Sequence, residues 1–409
     1  MNPPHPARGI PAWLVLVGAM SALGPFTIDM YLPGFPAIER EFGEAGVEGT
    51  MAAYMFGLAL GQLLYGPLSD RFGRKPPLYV GLALYVLGSV GCAFAINMTM
   101  LTNMRIVQAI GACAPLVIGR AIVRDRCEPQ DAAKAYATLM LIVSLGPIIA
   151  PTLGGWVITA SNWRAVFIFL AGAAVAITVA MHVMLVESRD PAHVQSLRIA
   201  VVLRSYGGLL LDRVFIGYAC VGGFIMGGLF CFVTGSPIVY ADQYGLTPQQ
   251  FGWVIGLNGL AFMSASRWNI VSLRRRTPQQ VLARAVWVPA LIGAALTLGS
   301  YALHLPLWIV IVGQLGFVLM VGRANPNVAA LALAPYGREA GTASALMGAL
   351  QSGLGMLGGI AVAAFSDGSV ARLALLMTCS AVLSGLSYWV ARGGTPRETR
   401  IASQPPPDE

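Results

Sequence analysis

Ten residues, Gly66-Pro67-Leu68-Ser69-Asp70-Arg71-Phe72-Gly73-Arg74-Lys75, constrain this chain more than any others. They form a short, charged, glycine-bounded break between two strongly apolar runs, roughly 51–64 and 78–96. A helix crossing about 30 Å of hydrocarbon at 1.5 Å per residue needs about 20 apolar residues, so the runs predict two membrane-length helices. A loop this short forces them into an antiparallel hairpin. The same alternation recurs along the chain. Apolar runs between charged or Pro/Gly breaks predict about twelve spans: 11–33, 49–69, 77–97, 100–123, 134–159, 163–186, 213–240, 250–272, 281–302, 306–334, 339–365 and 370–391.

Composition closes off the soluble alternatives. Of 409 residues, 56% are hydrophobic and only 11% charged, with a mean hydropathy of +0.69; a soluble domain carries about a quarter charged residues. The net charge of +8 does not mark a nucleic-acid partner, because the basic residues fall in alternate short segments. Arg71, Arg74 and Lys75 form one group; Arg124, Arg126 and Lys134 a second; Arg189, Arg198, Arg204 and Arg213 a third. Arg274, Arg275, Arg276 and Arg284 follow, and then Arg392, Arg397 and Arg400. This is the positive-inside pattern, and it puts both termini in the cytoplasm. The scarcity of lysine (Lys75 and Lys134) hints at a high-GC bacterial source. The six cysteines lie mostly within apolar runs without zinc-like spacing and read as small hydrophobes. The first apolar run continues into Asp29 without a small-residue cleavage signal and reads as an uncleaved first helix.

The polar stretch 187–212 divides the chain near its middle. The expected organisation is a six-helix bundle over 1–186, a cytoplasmic linker over 187–212, a second six-helix bundle over 213–391 and a disordered tail over 392–409. An internal repeat is faint: the hairpin after span 2 has an echo after span 8, where Asn269–Leu273 leads into Arg274-Arg275-Arg276 without the acid and the glycines.

Intramembrane polar groups carry the candidate chemistry. Asp29 follows more than ten apolar residues. An ionised carboxylate in hydrocarbon costs several kcal/mol, so it faces a wet cavity, pairs with a cation or takes a proton. At the outer interface it would have no role; within the span it reads as a substrate or proton site. Arg105, early in span 4, shares the depth of Asp29 and is its expected partner, directly or through water, in a structural or a coupling role. In the loop, an Arg74–Asp125 bridge would tie the hairpin to span 4. Asp70 would accept from the N–H groups opening span 11, near residues 338–342, latching the halves. Gly66 and Gly73 bound this gate, with Arg71 beside it. In span 5, Gly146, Pro147, Pro151, Gly154 and Gly155 predict a bent, closely packed seal. Tyr31, Tyr54, Met55, Phe230, Phe232 and Asn258 are candidates to line a cavity. His182 and His304 read as interface histidines, and Arg267 as a residue that snorkels toward 274–276. No phosphate loop, metal cluster or nucleophile–base arrangement appears, so ATP-driven pumping and hydrolysis are disfavoured and no cofactor is called for.

The loop 66–75 resembles the signature between helices 2 and 3 of the major facilitator superfamily. The run Phe26-Thr27-Ile28-Asp29-Met30-Tyr31-Leu32-Pro33-Gly34-Phe35-Pro36 is similar to the span-1 signature of the Bcr/CflA drug-resistance transporters, as are residues 61–70, 123–125, 146–156 and 340–344. The resemblance implies the twelve-helix, two-bundle fold around a central cavity and proton-driven efflux of small drugs such as bicyclomycin or phenicols. It casts Asp29 as the acid for which proton and drug compete, Arg105 as its coupling partner, and Gly146-Pro147 with Gly154-Gly155 as the antiporter motif. Where a related antiporter has a second span-1 acid, this chain has Ser21, which implies weaker handling of cationic drugs. The expectation is a monomeric, multi-pass exporter in the bacterial inner membrane, driven by the proton gradient. A metabolite exporter on the same fold and a non-transporting membrane receptor are the alternatives.

Overall fold

The structure is a computed structural model that describes residues 11–43, 46–127, 135, 138–139, 141–143, 145–187, 199–303, 305–336 and 340–393. Its regular structure, among the described residues, is helical. We label the helices α1 (Ala12–Asp29), α2 (Phe35–Phe42), α3 (Glu48–Phe72), α4 (Lys75–Ala93), α5 (Met98–Arg126), α6 (Gly146–Ala160) and α7 (Trp163–Met184). There follow α8 (Ile199–Leu210), α9 (Arg213–Tyr244), α10 (Pro248–Leu273), α11 (Pro278–Ala302), α12 (Leu307–Leu333), α13 (Ala340–Phe365) and α14 (Val370–Arg392).

Short polar caps set where the long helices begin. The Asn97 side chain accepts from the Met100 N–H at 2.7 Å, and Asn162 accepts from Ala165 at 3.1 Å. Asp212 caps α9 through Val214 at 2.8 Å. Thr247 and Thr277 open α10 and α11 with reciprocal capping boxes, each followed by proline at the start of the helix. Each cap satisfies N–H groups that no preceding turn can reach, which lets a helix restart after only a few residues.

Eleven of the described helical segments are long and apolar enough to cross a membrane. The expected span 250–272 forms the 26-residue α10, long enough to cross; Gln249, Gln250, Asn258, Arg267 and Asn269 leave it more polar than the rest. Val80, Leu87, Val179, Leu291, Leu298 and Trp389 point outward and are exposed, a coat that suits lipid and not water.

Packing divides the helices into two groups. In the first, α1, α3 and α4 pack on α5, and α4 on α7; in the second, α9 packs on α12, α13 and α14, and α11 on α12 and α14. Two seams join the groups, α3 against α13 and α6 against α10. Glycines bring the seams close: a Cβ on Gly252 of α10 would lie 2.5 Å from the Pro151 carbonyl oxygen, and one on Gly348 of α13 would lie 1.9 Å from Oε1 of Gln62, whose amide donates across that seam to Ser352 at 2.9 Å. At the end bearing α2, the groups also touch through α9, α10 and the turn Leu32–Gly34. At the opposite end α5 and α12 form no such seam among the described residues.

Three local features differ from the sequence reading. The first span continues through a 3-10 turn into α2, an amphipathic helix that ends at Gly43 with φ of 65°. The stretch expected as a plain linker holds α8. Pro147 lies in the first turn of α6, where its missing N–H costs nothing, so only Pro151 interrupts the ladder. His304 and the tail beyond Gly393 lie outside the described residues.

Candidate functional site

Arg105 is the most enclosed charge in the first group, fully buried on α5. Its guanidinium lies between the rings of Tyr31, at 4.6 Å, and Tyr54, at 4.2 Å. Nη1 donates to Gln108 Oε1 at 2.8 Å and to the Thr27 carbonyl at 3.4 Å, and Nε has no partner. The Gln108 amide donates to Ser89 at 2.8 Å. Tyr31 is pinned through its hydroxyl to Thr50 at 3.0 Å, and Thr27 to Tyr85 at 2.5 Å. Aromatic faces and neutral dipoles, rather than a carboxylate, hold this cation.

Asp29 ends α1 and is 8% exposed. No hydrogen bond or ion pair ties its carboxyl to another described residue. The expected direct Asp29–Arg105 pair is therefore not formed: the arginine's fork is turned to Gln108 and Thr27, and the tyrosine rings occupy its faces. This leaves the acid unpaired at the junction of α1 with the turn that closes one end of the molecule.

The loop forms the expected clasp and adds to it. Arg74 is 3% exposed. It donates to Asp125 from Nε at 2.7 Å and from Nη2 at 3.3 Å, and from Nη1 to Asp70 at 3.0 Å and Ser69 at 2.9 Å. Gly73 takes φ of 84°, which lets the chain turn beneath the Glu187 carboxylate. That carboxylate accepts from the backbone N–H of Arg74 and of Lys75, each at 2.9 Å. Glu187, which the sequence reading did not single out, thus caps α4 from the end of α7, where the helix dipole favours an anion. Arg71 lies over Phe72 at 5.1 Å, and Gly66 has open space around it. Of residues 338–342, where the expected contact of Asp70 with the start of span 11 falls, 338 and 339 lie outside the described residues.

The glycines of α6 serve close approach. A Cβ on Gly154 would lie 2.2 Å from the Met30 carbonyl oxygen, next to Asp29, and one on Gly155 would lie 2.7 Å from that of Pro248 in the second group. A Cβ on Gly146 would lie 3.1 Å from the Pro25 side chain of α1. This short helix therefore wedges between α1 and α10.

The second group holds a neutral network. The Tyr240 hydroxyl donates to Gln314, whose amide donates to Asn258 at 2.7 Å. Gln314 occupies the eighth position of α12, as Arg105 does in α5. Sequence reasoning named Asn258 but missed Gln108, Tyr240 and Gln314; a glutamine inside an apolar run was the available signal. Tyr54 and Met55 are buried within the first group, and the Phe230 ring lies where a Cβ on Gly355 would meet it at 2.9 Å. Phe232 instead lines a small apolar void with Leu296, Val310 and Met377, so it belongs to the core of the second group and not to a shared cavity. His182 bonds to the Tyr79 hydroxyl at 2.8 Å. Arg267 is exposed.

An apolar exterior, two helical groups that meet along close, glycine-lined seams and polar side chains buried within each define a multi-pass carrier of the two-bundle class. Likeness to solved structures supports this fold. The D-xylose-proton symporter superposes with a TM-score of 0.75 at 15% identity over 92% of this chain and 96% of its own. A bacterial homologue of the lysosomal transporter Spinster superposes at 0.72 and 14% identity over 98% and 100%. The chain belongs to the Major Facilitator Superfamily, whose profile matches residues 15–391, and is a transporter, not an enzyme. Its relatives include an uncharacterized MFS-type transporter of Bacillus subtilis, 33% identical over 91% of this chain and 94% of the relative. A bicyclomycin resistance protein homologue of Haemophilus influenzae is 29% identical over 92% and 95%. Multidrug resistance protein D of Escherichia coli is 27% identical over 96% and 98%.

Proposed function

We propose that this transporter exports small toxic compounds, phenicol- or bicyclomycin-like, in exchange for protons, as a monomer of the Bcr/CflA type. One observation carries the reading. Asp29 is a buried carboxyl with no hydrogen bond or ion pair to a described residue, while the guanidinium of Arg105 is held by Gln108, the Thr27 carbonyl and the tyrosine rings. A carboxyl in that position gains and loses a proton without dismantling a salt bridge, and the polar part of a cargo molecule can compete for the same oxygen atoms. The names of the Haemophilus and Escherichia relatives support the cargo class. The substrate path runs between the bundles 1–186 and 213–391, joined by the linker 187–212. With both termini cytoplasmic in a bacterial inner membrane, the end bearing α2 faces outward, and this arrangement is closed to the outside.

The test is proton movement in everted, acidified vesicles on addition of chloramphenicol, for the wild type and Asp29→Asn. Alkalinisation in the wild type that disappears in the variant supports antiport through Asp29. Its absence from the wild type removes the phenicol–proton reading and advances metabolite export.

A further inference from the structure

The second group contains a buried cation that, among the described residues, has no anion bound to it. Arg323, on α12, is 3% exposed. The Trp268 ring covers its guanidinium at 3.7 Å, Nη2 donates to Ser272 at 3.0 Å, and the buried Nε has no partner. The Arg323 carbonyl accepts from Asn327, which also donates to Asn269 at 2.8 Å, so the backbone here is fixed by the echo segment after span 8. In the first group the matching clasp neutralises Arg74 with two carboxylates. Arg276, just beyond the end of α10, and Arg284, in the second turn of α11, are exposed cations at the end of the bundle where Ser272 of α10 meets Arg323, and both act on its charge. Between Arg213 and Gly393 the sequence offers only Asp242, Glu339 and Asp367 as acids. Asp242 lies at the end of α9 and Asp367 beyond α13, both at the opposite end of the bundle.

Among the described residues, which do not include Glu339, no carboxylate binds these three guanidinium groups, so they repel one another, and a buried donor left without an acceptor costs about 1–3 kcal/mol in addition. A phosphate satisfies both demands, with at least one negative charge and oxygens that accept in the plane of an arginine fork. The surroundings match a membrane surface: Trp268, Ile270 and Val271 on the same turns of α10 are exposed, the former an aromatic of the kind that sits at the headgroup level.

We propose that Arg323, Arg276 and Arg284 bind a phosphate group at this end of the second bundle, carried by an acidic phospholipid headgroup or by a soluble phosphate compound. The arginines replace, with a borrowed anion, the acids that the second hairpin lacks. The bound phosphate ties α10, α11 and α12 together as Asp125 and Arg74 tie the hairpin to α5.

The full-length protein in a non-ionic detergent is titrated with phosphatidylglycerol, with phosphatidylcholine and with glycerol 3-phosphate, and its melting midpoint is read. The expected result is a saturable rise with phosphatidylglycerol and none with phosphatidylcholine, whose phosphate already carries its own cation. In Arg276→Gln/Arg284→Gln, which alters only exposed side chains, half-saturation moves roughly 30-fold higher, a factor of about 5 per arginine. Arg323→Gln removes the response; should that variant fail to fold, the exposed pair carries the test. A rise with glycerol 3-phosphate assigns the site to a soluble phosphate, and a rise with the lipid alone assigns it to a headgroup. An equal response in the wild type and the exposed double variant, or no response to either phosphate, overturns the proposal.

Discussion

Replacing Gly154 by alanine tests the wedge of α6 against α1 with a single methyl group. The new Cβ would sit 2.2 Å from the Met30 carbonyl oxygen and 2.8 Å from its carbon. Ordinary contact is about 3.4 Å, so α6 and α1 must part by about 1 Å. The obstacle is backbone and cannot rotate away, which places the cost near the upper end of the 1–3 kcal/mol range for overpacking, about 3 kcal/mol. Alanine's helix propensity returns about 1 kcal/mol, for a net loss of about 2. Gly172 in α7 has nothing within 4 Å of its would-be Cβ, so the same substitution there stabilises by about 1 kcal/mol. The two variants therefore differ by about 3 kcal/mol, or roughly 6–12 °C in apparent midpoint at 2–4 °C per kcal/mol. The assay is thermal unfolding of purified protein at one heating rate, since membrane proteins unfold irreversibly. The strain falls on Met30, so Gly154→Ala also loses transport while Gly172→Ala keeps it. A Gly154→Ala protein that melts at or above Gly172→Ala refutes the wedge.

The remaining predictions concern the two arginine sites. Arg74→Ala strands the partly buried Asp125 and is expected to cost about 3 kcal/mol, against less than about 0.5 for the exposed Arg71→Ala, both read as melting midpoints. Glu187→Ala removes the cap from α4 and costs about 1 kcal/mol; its signature is faster hydrogen exchange in the first turn of α4 than elsewhere. Arg105→Lys keeps the charge but not the fork that reaches Gln108 and Thr27, nor the stacking between Tyr31 and Tyr54. Transport in proteoliposomes is expected to fall at least tenfold with the midpoint lowered only slightly, and wild-type transport would remove Arg105 from the path.

The spans were legible because hydrocarbon imposes one requirement on every residue of a crossing helix, and charge can be read residue by residue. The Arg74–Asp125 bridge was legible for a related reason: a short loop between antiparallel helices leaves few places for its charges. The partner of Arg105 was not. Opposite charge made Asp29 the obvious choice, yet aromatic faces and a glutamine one turn along α5 hold the cation, and neither carries a sign that a charge argument can detect. Glu187 escaped notice because its role depends on where α7 ends relative to α4, a tertiary fact. Arg323 was visible in sequence as an arginine inside an apolar run, the same signal that picked out Arg105. The small helices α2 and α8 lie where polarity suggested plain connections, because amphipathic segments at a surface dilute the apolar signal. Phe232 shows the opposite failure: an aromatic in a span says nothing about which side of the helix faces a neighbour.

The glycine-lined seams bear on speed. Where α6 meets α10 and α3 meets α13, glycines face carbonyls and the side chains of Ile148, Thr152 and Gln62, and one side-chain hydrogen bond, Gln62 to Ser352, crosses the second seam. Such surfaces hold few rotamers that must be unlocked before one body can roll over the other. They behave as bearings, with low friction and little stored torque. On the proposed function, resistance to reorientation then resides in the ionic clasp and in the protonation of Asp29, and turnover is set there and not by the joint between the two groups.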